Sequence, residues 1–378
     1  MPDVLIYGDT FRSPELRHEV PLGIPDPFLY AEVGGVKHIQ ISAMEAARLA
    51  AVGQFELHTG EEYGSDELIA SGSSYDELRA EVAARAVAAL GVTSAAVPET
   101  FPLWLADRLR AEGVELTVDR DLFNDRRRVK TDAELAGMRR AQRSAEAAMD
   151  TIRDLLRRAD VTDGLLRLDD EPLTVERVKS AMSQTFAAHG TTADDFIVAP
   201  GAQGAVGHDM GSGPVAAGVP IVVDIWPRDN ESSIFCDMTR TYVVGDVPDD
   251  VREWHRLCKQ ALDRAISEIT DGADGRAIFD GTCEIFEAAG VPTHRTKEPG
   301  KPLTEGFFHG LGHGVGLEVH EQPGLGLMSK ATLRAGDVVT VEPGCYRQGY
   351  GGVRLEDLVL VTGGAAENLT RYPYDLAP

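Results

Sequence analysis

Basic residues are in short supply: 37 Lys and Arg face 61 Asp and Glu, a formal net charge of −24. A field of that sign repels nucleic acid and anionic lipid surfaces, so neither is an expected partner. Cysteine is scarce as well. Cys236, Cys258, Cys283 and Cys345 are scattered without a CxxC pair, which argues against a disulfide framework and fits reduced, buried thiols in a cytoplasmic protein. No apolar run approaches the roughly 20 residues that span a bilayer. The opening MPDVLIYGDT carries no basic stretch followed by an apolar one, so no signal peptide is expected. Missing too are the phosphate loops GxGxxG and GxxxxGK, the serine-hydrolase GxSxG and the zincin HExxH.

What is present is concentrated. Of ten histidines in 378 residues, His309, His313 and His320 fall within FHGLGHGVGLEVHE (308–321), between Gly310, Gly312, Gly314 and Gly316. Each of these glycines costs conformational entropy and packs nothing, so something must approach this backbone closely. Three imidazoles in so short a stretch point to a site rather than to separately satisfied polar residues.

The chain is long enough for two domains, and its 43% hydrophobic content can fill their cores. In the first third, strand patterns at 3–9, 35–42, 93–99 and 114–119 alternate with helical ones. Ser42-Ala-Met-Glu45 and Ser74-Tyr-Asp-Glu77 match capping boxes, and the second helix runs to a stop at Gly91. An α/β domain over 1–127 follows. The basic run Arg126, Arg127, Arg128 and Lys130 reads as the solvated face of a linker. Next comes the capping box Thr131-Asp-Ala-Glu134 and a long helix with Leu135, Met138, Ala145, Met149, Ile152 and Leu156 at helical spacing. Helices over 174–189, 250–270 and 276–289, with strands between and after them, predict an α+β domain over 128–378 that buries a sheet under helices.

Strand-like segments of this second domain carry carboxylates where apolar residues are expected. VPIVVDIW ends on Asp224, SIFCDMTRTYVV contains Asp237, GDVVTVEPG places Glu342 after a hydrophobic run, and GGVRLEDLVLV sets Arg354 and Glu356 on one face. An ionised carboxylate inside a sheet is costly unless paired or metal-bound. Asp237 could pair with Arg240 and Glu356 with Arg354, but Asp224 and Glu342 have no evident basic neighbour in sequence. A shared cation accounts for all of them. Four carboxylates and an imidazole form a hard, oxygen-rich set, suited to two divalent ions about 3.5–4 Å apart. Mn²⁺ or Co²⁺ suits it, and Zn²⁺ and Fe²⁺ also fit.

The order Asp, Asp, His, Glu, Glu, with HGLGHGVGLEVHE, TVEPG and GGVRLED, resembles the pita-bread metallopeptidases, in the aminopeptidase P and prolidase branch. The resemblance covers roughly 128–378. It implies a pita-bread (creatinase/aminopeptidase) catalytic domain preceded by a smaller creatinase-like α/β domain. It implies Asp224, Asp237, His313, Glu342 and Glu356 as metal ligands, with Asp237 and Glu356 bridging. His208, His309, His320 and Arg354 become substrate-pocket residues, and Glu342, His320 and His309 the catalytic groups. The implied reaction releases the first residue from a peptide with a free N-terminus and proline second. A strict Xaa-Pro dipeptidase is the alternative; a metal-independent creatinase-like hydrolase or a non-catalytic binding module would be expected to lose the ligand set. A homodimer is implied as well. Two departures stand out. DIWPRDNESSIFCD lacks the glycine that usually follows the first aspartate and is two residues longer than usual. No clear counterpart exists for the arginine with which dipeptidases grip a free carboxylate, Lys330 and Arg334 being nearest.

Overall fold

The structure is a computed structural model and describes residues 2–378. The chain divides into two compact units, Met1–Arg127 and Arg128–Pro378.

The first unit is a six-stranded sheet in the order Glu56–Thr59, Val36–Ile41, Phe28–Val33, Val4–Gly8, Ser94–Val97, Glu115–Val118. The middle strands pair antiparallel and the outer ones parallel. Strand periodicity fills both faces. Leu5, Tyr7, Leu29 and Ala31 meet Val87, Leu105 and Leu109 on one side, while Val4, Ile6, Phe28 and Tyr30 meet Leu16, Leu49 and Phe123 on the other. The helix Tyr75–Ala89 opens with the capping box at Ser74 and gives way to Gly91 in the left-handed region (φ 70°). At Ser42 the expected box does not close: the hydroxyl accepts from the Met44 N–H, and Glu45 turns to Arg48.

The second unit buries a five-stranded sheet between two pairs of helices. Its order is Glu321–Leu325, Gly312–Gly314, Val338–Val341, Asp357–Leu360, Glu367–Asn368. Val338, Leu358 and Leu360 pack under the helices Asp132–Arg158 and Val175–Ala188. Val339, Val341 and Val359 pack under Asp249–Glu268 and Gly275–Ala288. Burial on both faces is why these strands read as unbroken apolar runs. Two three-stranded antiparallel sheets carry or flank the site: Ile197–Pro200, Ile221–Ile225, Met238–Tyr242, and Glu305–Gly306, Gly344–Arg347, Gly351–Arg354. The unit also holds a third three-stranded sheet (Asp160–Thr162, Leu165–Leu168, Glu171–Pro172) and a two-stranded one (Thr191–Thr192, Arg228–Asp229). All four cysteines are buried and free. Among the described residues no helix is long and apolar enough to cross a membrane.

The basic run is not a solvated face. Arg127 and Lys130 are buried, and each cation has a carboxylate of its own unit: Arg126 meets Glu19 and Glu32, Arg127 lies 3.9 Å from Glu15, Arg128 grips Asp337, and Lys130 meets Glu321. Desolvation makes such partners necessary, and sequence distance hides them.

Burial opposes ionisation of Glu19, but hydrogen bonds from Arg126 and Lys37 outweigh it and hold its carboxyl down at about 2. Its folded value lies below the unfolded one, so its contribution is complete above the ordinary carboxylate range and fades as pH falls towards 2. Glu19→Gln should therefore destabilise the first unit by about 2 kcal/mol at pH 7. That deficit should shrink below about pH 4.5. Denaturant midpoints across this range check it, and a deficit independent of pH would contradict the assignment.

Candidate metal centre

Two sheets are pinned together at the point where the carboxylates converge. Thr239 accepts the Glu356 N–H through its carbonyl at 3.1 Å, and its hydroxyl donates to Glu356 Oε2 at 2.7 Å. The adjacent pair, Arg240 and Asp357, is buried and joined at 2.9 Å. Asp224 lies in the strand Ile221–Ile225, opposite Ile197 on one neighbour and Thr239 on the other. Asp237 immediately precedes Met238–Tyr242, and Glu342 immediately follows Val338–Val341. Carboxylates at strand ends leave the ladders intact while their side chains share one space.

That space is a cavity of about 600 Å³, and every expected site residue lines it: Asp224, Asp237, His313, Glu342, Glu356, His208, His309, His320 and Arg354. Donor atoms of Asp237, His313 and Glu356 lie within 4.8 Å of one another. Asp224 and Glu342 stand at the edge of this cluster, half-buried where Asp237 and Glu356 are buried. His313 Nε2 is 3.8 Å from Asp237 Oδ2 and 3.7 Å from Glu342 Oε1, too far for hydrogen bonds but close enough to share a cation. His313 Nδ1 is 3.1 Å from the Gly314 carbonyl. A carbonyl only accepts, so the proton is on Nδ1 and the Nε2 lone pair faces the carboxylates, the arrangement typical of a ligating histidine.

The salt-bridge alternatives resolve differently from expectation. Arg240 takes Asp357, not Asp237, and Arg354 takes Asp224, not Glu356. Asp224 thus has the basic partner that its sequence neighbours lacked. Arg354 also donates to the Tyr346 hydroxyl at 2.9 Å, and that hydroxyl lies 2.9 Å from His309 Nε2. His309 Nδ1 donates to the Gly310 carbonyl at 2.6 Å, so both its ring nitrogens are engaged. Tyr346 was not anticipated; it lies on the buried strand after the VEPG turn, and its sequence carries no charge or spacing signal. Nor were Trp226, Met210 and Phe308, which form apolar walls. Lys330 and Arg334 do not line the cavity.

Electrostatics mark the centre. Burial, then the charges of Glu356, Asp224 and Glu342, push Asp237 well above the carboxylate range, and burial with Asp224 and Glu342 does the same to Glu356. Burial drives Glu342 up to about 8 against the pull of Arg354. Burial, with Arg354 for His309 and His320 for His313, drives these imidazoles down to about 3 and about 4, so both are neutral near pH 7. Asp237 Oδ1 is buried with no hydrogen-bond partner among the described residues. An orphaned buried oxygen, repelling carboxylates and neutral imidazoles all fit divalent cations.

Comparison with known proteins agrees with this chemistry. Residues 136–363 match metallopeptidase family M24. The chain is 30% identical to an Xaa-Pro dipeptidase of Pyrococcus furiosus over 257 residues, covering 68% of this chain and 67% of that one. Its fold is similar to an Xaa-Pro dipeptidase from Bacillus anthracis (TM-score 0.79, 23% identity, 100% of this chain and 94% of that one). It is also similar to an X-Pro aminopeptidase from Thermotoga maritima (TM-score 0.78, 21% identity, 98% and 96%).

A metal that binds only the folded chain stabilises it by mass action, about 2.7 kcal/mol at 100 times its Kd. Mn²⁺ added to chelated protein should raise the melting temperature by several degrees, and Asp237→Ala or Glu356→Ala should abolish the gain. Calorimetry with elemental analysis reads both. An undiminished gain in either variant would place the metal elsewhere.

Proposed function

The chain belongs to metallopeptidase family M24, and we propose that it is an Xaa-Pro aminopeptidase, releasing the first residue of a peptide whose second residue is proline. The observation that carries this reading is the convergence of Asp237, His313 and Glu356, with Asp224 and Glu342 beside them, in one cavity. Under it these residues would hold two divalent ions, Mn²⁺ or Co²⁺, with Asp237, His313 and Glu356 at the centre of the set. Bound there, the ions supply Lewis-acid polarisation of the scissile carbonyl and a water activated at neutral pH.

The chain's own residues do the rest. Asp224, already turned towards Arg354, receives the free amino terminus. Glu342, half-buried and 3.7 Å from His313, is placed to pass a proton to the leaving proline nitrogen, which has none of its own. The His320 imidazole stands at the exposed mouth and donates to the carbonyl oxygen as negative charge develops there. His309, tied to Tyr346 and Gly310, and His208 shape the pocket. Trp226, Met210 and Phe308 keep water from the reacting bond.

A strict dipeptidase is the second reading, favoured by the names of the Pyrococcus and Bacillus relatives. Against it stands the pocket's cation content. Among the described residues lining the cavity, Arg354 supplies the guanidinium, and it is engaged by Asp224, Tyr346 and Thr239. A free substrate carboxylate finds no uncommitted Lys or Arg there, so longer peptides fit as well as dipeptides. The expected homodimer and cytoplasmic location belong to the same reading.

Under saturating Mn²⁺, Ala-Pro-Ala should be cleaved at least as fast as Ala-Pro, and Ala-Ala-Ala at least about tenfold more slowly. Chelation should abolish all three activities. Faster cleavage of Ala-Ala-Ala would overturn proline selectivity, and cleavage of Ala-Pro alone would establish the dipeptidase.

A further inference from the structure

We infer that the buried ion pair Lys130–Glu321 is a positioning device for His320, holding the turn from which this imidazole enters the cavity. Lys130 Nζ meets Glu321 Oε2 at 2.7 Å, with the side chains only 3% and 4% exposed. Glu321 Oε1 accepts the N–H groups of Leu317 at 2.9 Å and Glu318 at 3.2 Å. The Gly316 N–H reaches the Glu318 carbonyl at 3.0 Å, and the Gly316 carbonyl accepts from Phe235 at 2.9 Å. The chain leaves the sheet after Gly314, loops out, and rejoins it at Glu321, which pairs with Gly314. The loop carries Val319 and His320, both at the cavity wall.

Among the described residues no hydrogen bond holds the His320 ring, which lies 4.2 Å from the His313 ring, centroid to centroid. Its aim is therefore set by the backbone it hangs from, and Glu321 sets that backbone. The carboxylate spans the turn, but as a lone buried anion it would be drawn towards water. Lys130 removes that pull. The lysine is itself well founded: its N–H bonds the Gly336 carbonyl, and the next residue caps the helix Asp132–Arg158. Gly316 is part of the device, since a Cβ there would collide with both the Glu321 carboxylate and Lys130 Nζ. Lys130 and Glu321 are positioning residues, not catalytic ones, because neither lines the cavity.

This inference rests on the proposed role of His320, and the test separates the two. The full chain, loaded with Mn²⁺ and assayed on Ala-Pro-Ala, is compared as wild type, His320→Ala, the neutral pair Lys130→Met/Glu321→Gln, and all three changes together. His320→Ala should lower kcat about 100-fold while retaining metal. The neutral pair should lower kcat about tenfold, with KM and metal content within about twofold of wild type. In the His320→Ala background the pair should cost less than about twofold, because its effect acts through the missing imidazole. An equal loss in both backgrounds, loss of metal, or no loss of kcat in the pair would overturn the inference. Unchanged kcat in His320→Ala would overturn the reading of His320 and the inference with it. If the neutral pair does not fold, Glu321→Asp, which keeps the charge but withdraws it by one methylene, is read in the same two backgrounds by the same criteria.

Discussion

The candidate centre depends on one buried guanidinium. Arg240 donates to the carbonyls of Pro373, Thr239, Glu356 and Tyr372 and to Asp357 Oδ1, which occupies all of its N–H groups. The opposite face of Asp357 is satisfied by Asn368 and the Tyr374 hydroxyl. A buried ion pair is weak evidence of stability, but a fully satisfied one specifies register. Here it ties the strand carrying Thr239 to the segment carrying Glu356. Asp237 and Glu356 are thereby brought to one point from different sheets.

Convergence has an electrostatic consequence. Four carboxylates share one cavity with Arg354 as the cation among its lining residues, so burial and the neighbouring charges raise the cost of ionising Asp237 and Glu356. Burial likewise keeps His309 and His313 neutral near pH 7, which is the state a ligand or a hydrogen-bonding imidazole needs.

The glycine-rich segment shows how local and tertiary demands meet. A Cβ at Gly312 or Gly314 would collide with the backbone of the neighbouring strands, and one at Gly316 with the Lys130–Glu321 pair. None of these three has a positive φ. Glycine is required there by close approach rather than by conformation, the approaching groups coming from Thr340 and Lys130 far away in the chain and from Glu321 and Gln322 where the segment folds back.

Much of the centre was legible in the sequence. Carboxylates interrupting apolar strands are anomalies that any burial argument detects, and clustered histidines narrow the chemistry to a site. The capping boxes at Ser74 and Thr131 are likewise local facts, because partner and capped group lie three residues apart. What tertiary structure decided is pairing at a distance: that Arg354 serves Asp224, that Arg240 serves Asp357, that Tyr346 braces His309, and that a basic run resembling a linker is buried against Glu19, Glu32, Asp337 and Glu321. Composition and period carry no information on which of many carboxylates a cation will meet. That choice belongs to the folded chain, where desolvation penalises every unpaired charge and geometry limits each to the few partners within reach.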